Sequence, residues 1–187
     1  ADALRPILHQ DPDKIMIGEI RDAETLEIAI KAALTGHLVI STLHTNDSIS
    51  AITRMADMGI PPYLISGALV AIQAQRLIRK ICIHCKTEIH PSASILEEIH
   101  DYIPEHSKFY AGQGCKECND TGYMDREMIC EVLSVSEKLS SLIAAGASYD
   151  ILKEQALKEG FVSIFENGIQ KALDGITSIE EILKAAK

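Results

Sequence analysis

The sequence contains no tryptophan, and aromatic residues make up only 4% of its 187 residues. A hydrophobic core therefore has to be built mainly from isoleucine, leucine, alanine, valine and methionine. With 47% hydrophobic and 24% charged residues, the composition is that of a globular protein and argues against a disordered chain. A chain of this length buries roughly 70% of its unfolded surface, so it can fold without disulfide bonds.

Positive charge is also scarce: 18 Lys and Arg residues stand against 27 Asp and Glu residues, which gives a net charge of −9. An acidic chain is a poor ligand for a phosphate backbone unless it carries a local basic patch. The segment 79–126 has six basic and eight acidic residues and no basic stripe. We therefore expect no nucleic-acid partner.

No apolar run approaches the 18 residues of a membrane span, and no secretory signal opens the chain. These absences favour a cytoplasmic protein. The first residue is Ala1 rather than Met, so we expect the sequence to be cut from a longer chain.

The segment 1–74 alternates between short apolar runs and stretches with helical spacing. This order predicts an α/β fold with parallel strands, in which ligands bind at the carboxyl ends of the strands. The predicted elements are a strand at 14–18, a helix from the N-cap Asp22 to Gly36, a strand at 38–42, a helix to Met58 after the capping cluster at 46–48, and a helix from Pro62 to about Ala74.

The second half is expected to contain one strand and several short helices. Segment 75–82 is either a strand or a helix end, and 127–135 is predicted as a strand. We expect 76–82 and 128–134 to pair as antiparallel strands with the cysteine-rich segment inserted between them. Helices follow from Ser136, and the last opens with the capping-box spacing of residues 177–180.

Polar side chains stand just past the two predicted parallel strands. Glu19 and Arg21 follow the first strand, and His44 follows the second. A carboxylate at such a position can orient a water molecule or take its proton during phosphoryl transfer. Glu19 can equally be a helix N-terminal acid or a partner of Arg21. Histidines 37 and 44 bracket the second strand and can be either core residues or the polar rim of a phosphate site.

Four of the five cysteines form two Cys-x-x-Cys pairs, which are separated by the segment 86–114. Each pair can place two thiolates on one ion, and two pairs complete the tetrahedral four-sulfur shell of structural zinc. Redox pairs or an iron–sulfur cluster are the alternatives. Cys130 stands alone in an apolar segment and is expected to be a small buried residue. The predicted ligands are Cys82, Cys85, Cys115 and Cys118.

Four motifs in a fixed order resemble those of the ATPases that drive type II secretion and type IV pilus assembly. Ile-Met-Ile-Gly-Glu-Ile-Arg-Asp (15–22) resembles their Walker B segment, and Thr-Gly-His-Leu-Val-Ile-Ser-Thr-Leu-His-Thr-Asn-Asp (35–47) resembles their histidine box. Ala-Gln-Arg-Leu (74–77) with the first cysteine pair, and the segment 114–123 with the second, resemble the tetracysteine branch of this family. The resemblance covers nearly the whole chain.

This resemblance implies a RecA-like P-loop ATPase core, present here as its second half, with an inserted zinc module and a C-terminal helical region. Glu19 matches the catalytic glutamate, and His37 and His44 match the histidines that sense the nucleotide. Arg21 is implied to support the site or to contact a neighbouring subunit. The sequence departs from the family at 124–128, where relatives tend to have Arg-Gly-Arg-Thr-Gly and only Arg126 matches.

The phosphate-binding Walker A motif, Gly-x-x-x-x-Gly-Lys-Ser/Thr, is missing, since none of the eleven glycines precedes a lysine. In the family this loop lies upstream of the segment where this sequence begins. We therefore expect the 187-residue chain to be inactive alone, whereas the complete protein would hydrolyse ATP with Mg²⁺.

The resemblance also implies the organisation and setting of the protein. The expected division is 1–80, the second half of the ATPase core, then 81–126, a module with one structural zinc, then 127–187, a return strand and helical subdomain. The complete protein would be a homohexamer, peripheral on the bacterial inner membrane, that works with platform proteins. Type II secretion by pseudopilus extrusion is the favoured function. Type IV pilus assembly is the alternative, and a non-enzymatic zinc-dependent interaction module is the alternative of another class.

Overall fold

The structure is a computed structural model that describes residue 10 and residues 12–186. Strand β1 (Lys14–Ile17) leads into helix α1 (Ala23–Leu34) and strand β2 (Leu38–Ser41), and β1 and β2 pair in parallel. Helices α2 (Ser48–Asp57) and α3 (Pro62–Ala68) follow. The predicted strand–helix–strand order with parallel strands is therefore confirmed.

Local capping fixes where the first two helices begin. Asp22 accepts a hydrogen bond from the amide of Thr25 at 2.8 Å, and Asp47 accepts one from the amide of Ser50 at 2.7 Å. Each bond satisfies a donor that the first helical turn leaves without a partner. After α1, Gly36 adopts a φ of 103°, a left-handed conformation that suits glycine and ends the helix.

Two longer strands, β3 (Ala71–Ile81) and β6 (Tyr123–Ser134), form a second ladder. At one end the amide of Val135 donates to the carbonyl of Val70, and at the other the amide of Cys82 donates to the carbonyl of Gly122. The pairing is therefore antiparallel, as the sequence predicts, but the predicted partners are displaced: since Val70 bonds to Val135 and Cys82 to Gly122, the segment 76–82 lies opposite the start of β6 rather than opposite 128–134. Between the two strands lie β4 (Lys86–Ile89), α4 (Ala93–Ile99) and β5 (Phe109–Gly112), with β4 and β5 paired antiparallel.

The predicted helix from Pro62 to Ala74 is wrong in its second half. Helix α3 ends at Ala68, and β3 has begun by Ala71. The amide of Leu69 still bonds to the carbonyl of Ile65, whereas Val70 already pairs with Val135 across the ladder. Pairing with a segment far downstream thus replaces a helix that the local sequence would accept.

Four helices follow β6, namely α5 (Glu137–Ala144), α6 (Tyr149–Lys158), α7 (Ile164–Leu173) and α8 (Ile179–Ala185). The described residues form two compact units, of which the first comprises 12–74 and 132–161 and the second 75–131 and 162–186. The first unit has a core centred on β1, α1, α2, α5 and α6. The second has its own core, which includes Ile78, Phe109, Ile129, Ile169 and Ile182. The predicted three-part division of the chain stays a prediction.

Candidate active site and metal centre

Glu19 and His44 meet at the carboxyl ends of the two parallel strands. Nε2 of His44 lies 3.1 Å from Oε2 of Glu19, and the guanidinium of Arg21 lies 2.5 Å from Oε1. Each carboxylate oxygen thus has one protein partner and keeps the capacity to accept a further hydrogen bond. The structure therefore joins three of the residues that the sequence singles out.

The partners of Glu19 keep its side chain ionised. The hydrogen bond from Arg21, followed by that from His44, lowers the pKa of Glu19 below its usual value. A carboxylate of low pKa is a weak base but a good acceptor, so it suits the orientation of a water molecule better than full proton abstraction. The site is open, since the Glu19 side chain keeps 36% of its exposure and that of His44 keeps 84%.

Asp22 and Asp47, also on this edge of the sheet, have structural roles. Both carboxylates accept a backbone amide and a hydroxyl group as helix N-caps, Asp22 from Thr25 and Asp47 from Ser50. Because the capping bonds fix where α1 and α2 begin, these two aspartates shape the loops that carry Glu19 and His44.

His37 is not brought to Glu19. It precedes β2 at the amino end of the strand, where Leu38 bonds to the carbonyl of Asp13, whereas His44 follows the carboxyl end. Nδ1 of His37 lies 3.0 Å from the carbonyl of Ala32, and its buried Nε2 has no hydrogen-bond partner among the described residues. The two histidines therefore lie at opposite ends of β2.

The four predicted cysteine ligands lie together in the second unit. Their sulfur atoms are all within 4.8 Å of one another. The Sγ–Sγ distances are 3.8 Å for Cys82–Cys115, 3.9 Å for Cys85–Cys118 and 3.7 Å for Cys115–Cys118. A tetrahedron with zinc–sulfur bonds of about 2.3 Å has edges of about 3.8 Å. The four thiols therefore fit a single tetrahedral ion.

Backbone amides point at one of these sulfur atoms. The amide of Cys115 lies 3.3 Å from Sγ of Cys118, and the amide of Gly122 lies 3.2 Å from it. Burial acts to raise the pKa of the Cys118 thiol, but these two amides, together with hydrogen bonds from the side chains of Cys115 and Cys85, outweigh it and lower the pKa to about 6. Such N–H···S bonds favour the thiolate, which is the form that binds a metal ion.

The long segment between the cysteine pairs is folded rather than open. Cys85 leads directly into β4, and β5 returns to Gly114 and Cys115, with Lys86 opposite Gly112. The amide of Gln113 bonds to the carbonyl of Cys85 at 3.0 Å. This β-ladder brings the two pairs together despite the length of chain between them.

Close backbone packing beside the thiols depends on glycine. A Cβ atom on Gly112 would lie 2.0 Å from the carbonyl oxygen of Gly122, and one on Gly122 would lie 2.5 Å from that of Gly112. No side chain fits between these backbones. Gly114, with a φ of 92°, makes the turn into the second pair.

Sequence reasoning missed an interaction cluster that anchors α8. Arg79 donates to the carboxylate of Glu181 through Nε and Nη2, and its backbone amide also donates to Oε1 at 3.1 Å. Its guanidinium stacks 4.0 Å from the ring centre of Tyr123, whose hydroxyl lies 2.7 Å from that of Ser178. A capping-box pattern is visible in this region, but nothing local points to Arg79, which is 102 residues from Glu181.

Comparison with known proteins agrees with this geometry. The family model described as "Type II/IV secretion system protein" matches residues 1–184. The chain belongs to this family. It is 48% identical over 185 residues to the type IV pilus assembly ATPase PilB of Thermus thermophilus, and 43% identical over 187 residues to the type II secretion system ATPase E of Vibrio cholerae.

These relatives are much longer than this chain. The matches cover 98% and 100% of the chain but only 21% of the Thermus protein and 37% of the Vibrio protein. The crystal structure of the pilus retraction motor PilT with bound ADP superposes with a TM-score of 0.67 at 27% identity, over 98% of this chain and 42% of PilT. The predicted RecA-like class of fold is thereby confirmed. Among residues 12–186, no helix is both long enough and apolar enough to cross a bilayer.

Proposed function

We propose that this chain carries the water-orienting side of the nucleotide site of a motor ATPase. The observation that carries the proposal is the contact between Glu19 and His44 at the carboxyl ends of two parallel strands, in a chain of this family. In an open parallel sheet, this edge is where ligands bind. The complete protein would couple ATP hydrolysis to type II secretion by extruding a pseudopilus.

In the proposed mechanism, each residue of the site has one task. Glu19 accepts a hydrogen bond from the attacking water and holds it in line with the terminal phosphate. His44 fixes one oxygen of that carboxylate and faces the region where the phosphate would lie, so it can respond to its presence. Arg21 fixes the other oxygen and keeps the carboxylate ionised. A sensing role for His37 stays a prediction. Its position at the amino end of β2 does not favour direct contact with the nucleotide.

The rest of the nucleotide site has to come from outside this sequence. ATP requires a phosphate-binding loop with a lysine, and its Mg²⁺ requires oxygen ligands near the phosphates. Among the described residues neither a Gly-Lys pair nor such a loop is present. We therefore expect the 187-residue chain to lack useful ATPase activity by itself, and the complete protein to supply both.

Type IV pilus assembly is the second candidate function. Its support is the 48% identity to the pilus assembly ATPase of Thermus. The identities of the two groups overlap, because the pilus ATPase of Acinetobacter is 42% identical and the type II protein of Aeromonas is 45% identical. Deletion of the gene and complementation would separate the two functions. Loss of secreted enzymes with intact pili favours secretion, and loss of pili with normal secretion favours pilus assembly.

We propose one structural zinc ion on Cys82, Cys85, Cys115 and Cys118. Four protein ligands leave no open position for water, so the ion would stabilise the fold rather than take part in catalysis. The non-enzymatic alternative, a zinc-dependent interaction module, would account for this centre. It leaves unexplained why Glu19, Arg21 and His44 converge at the sheet edge.

The complete protein is proposed to act as a homohexamer on the cytoplasmic face of the inner membrane, held there by platform proteins of the machine. The support is family membership, because its named relatives belong to secretion and pilus machines. Mass measurement of the complete protein with and without nucleotide would test the hexamer.

The decisive experiment measures phosphate release by the complete protein and by its Glu19→Gln variant. The substitution keeps size and shape but removes the charge, and we expect turnover to fall by roughly 10²–10⁴-fold while ATP binding survives. Glu154→Gln is a matched control, because Glu154 forms an exposed pair with Lys158 on α6. Equal turnover in Glu19→Gln and the unchanged protein would remove Glu19 from the mechanism.

A further inference from the structure

The register between β1 and β2 changes by one residue at the position of Glu19. Along the paired strands each residue of β1 lies opposite the residue 24 positions later, from Lys14 with Leu38 to Ile17 with Ser41. The amide of Leu38 donates to the carbonyl of Asp13. In a parallel ladder, bonds to one strand recur at every second residue. Continuing this pattern, the carbonyl of Thr42 would accept the amide of Glu19.

Instead, the carbonyl of Thr42 accepts the amide of Ile20 at 2.9 Å. One extra residue is therefore accommodated between Ile17, where β1 ends, and Ile20, so the chain forms a bulge at the end of the ladder. The slip turns the carbonyl of Gly18 towards β2, and the hydroxyl of Thr42 donates to it at 2.7 Å. A single residue thus holds the backbone on both sides of Glu19.

The burial pattern agrees with the slip. Ile15 and Ile17 are buried, so an unbroken strand would place Glu19 on that same face, inside the core. The next buried residue is Ile20 instead, three positions after Ile17 rather than two. A slip of one residue exchanges the two faces of a strand. It therefore releases the carboxylate of Glu19 from the core and lets it reach Arg21 and His44.

We propose that Thr42 is a positioning residue for Glu19, because its hydroxyl and carbonyl together hold the bulge that directs the carboxylate to the nucleotide side. Bulges are frequent beside active sites, where they redirect a side chain. Thr42 touches neither of the carboxylate oxygens, so its effect passes through the backbone. This inference rests on the proposed role of Glu19 in hydrolysis.

The test is the turnover of the complete protein with Thr42→Val, which keeps the shape and removes the hydroxyl. Misplacement of a catalytic group by about 1 Å can cost 10²-fold in rate. We expect kcat to fall about 10-fold or more, with KM for ATP changed less than about 2-fold. Thr42→Ser keeps the hydroxyl and should retain most of the activity. Thr53→Val is the matched control, since the Thr53 hydroxyl also donates to a backbone carbonyl, that of Ser50.

A double variant separates positioning from general damage to the fold. If Thr42 acts through Glu19, adding Thr42→Val to Glu19→Gln should lower kcat little beyond Glu19→Gln alone, because their effects are not independent. The proposal would be overturned if Thr42→Val lowered kcat by the same factor in the Glu19→Gln variant as in the unchanged protein. It would also be overturned if Thr42→Ser lost as much kcat as Thr42→Val, or if kcat did not change in Thr42→Val. If Glu19→Gln itself keeps full turnover, the proposed function fails and this inference fails with it. If Glu19→Gln is impaired but Thr42→Val is not, only this inference fails.

Discussion

Removal of one cysteine ligand should abolish metal binding, and the arrangement of the four thiols allows the consequence to be worked out. Cys115 is the natural choice, because its sulfur lies 3.8 Å from Cys82 and 3.7 Å from Cys118. Both distances match the edge of about 3.8 Å expected for zinc. A serine hydroxyl is a poor replacement for a thiolate, so Cys115→Ser should leave an incomplete shell.

The effect on stability follows from linkage. A ligand that binds only the folded state adds about 4 kcal/mol when its free concentration is 1,000 times its Kd. For a chain of 150–250 residues, 1 kcal/mol moves Tm by about 2–4 °C. Cys115→Ser, or chelation of the unchanged protein, should therefore lower Tm by roughly 8–16 °C. The second unit has a hydrophobic core of its own, so we expect destabilisation and not complete unfolding.

The assay combines elemental analysis with thermal unfolding, on protein purified without added zinc. The expected result is close to one zinc per chain, lost in Cys115→Ser and retained in Cys130→Ser. Cys130 is the matched control, because it lies outside the group of four sulfur atoms. A full complement of metal in Cys115→Ser would refute the four-ligand site, and iron in place of zinc would favour the iron–sulfur alternative.

Two further predictions concern the second unit. Glu181→Gln should lower the free energy of unfolding by about 1–3 kcal/mol at pH 7, because it weakens the charged hydrogen bonds from Arg79. The control is Glu180→Gln, since Glu180 lies on the same helix but is exposed. The hydrogen bond from Arg79 lowers the pKa of Glu181, so its contribution is present above the unfolded pKa of about 4.3 and is lost as the pH falls through the lower folded value. Urea unfolding should show that the difference in unfolding free energy between the unchanged protein and Glu181→Gln becomes smaller in acid. A difference that does not change with pH would contradict this. Gly112→Ala should disrupt the metal centre, because the added carbon would overlap the carbonyl of Gly122; normal metal content and Tm would contradict that.

Much of the first unit could be predicted from sequence because its signals are local. Asp22 and Asp47 cap the helices that they precede, and the apolar runs at 14–18 and 38–42 form the parallel strands. The convergence of Glu19 and His44 followed from a rule of parallel sheets, which place strand ends at one edge. These features need no knowledge of distant contacts.

What the sequence missed depends on residues far apart in the chain. The extent of α3 depends on Val70, which pairs with Val135 instead of continuing the helix. The last helix has its N-cap at Ser178, one residue later than the predicted capping box. Ser178 accepts the amide of Glu181, but the Glu181 carboxylate binds Arg79 rather than closing the box. In both cases a long-range partner decides between local alternatives.

The bulge at Glu19 combines both kinds of feature, one set by the local sequence and one set by a distant contact. The buried positions of Ile15, Ile17 and Ile20 change parity, and a carboxylate between Ile17 and Ile20 cannot stay in the core without a large desolvation penalty. The sequence therefore already contains the conflict that a bulge resolves. Which residue holds the bulge could not be read from it, because the Thr42 hydroxyl reaches Gly18 across 24 positions of the chain. The conflict with the regular strand pattern thus identifies Glu19, the residue proposed to act in the site. The long-range contact that resolves this conflict identifies Thr42, the residue proposed to position it.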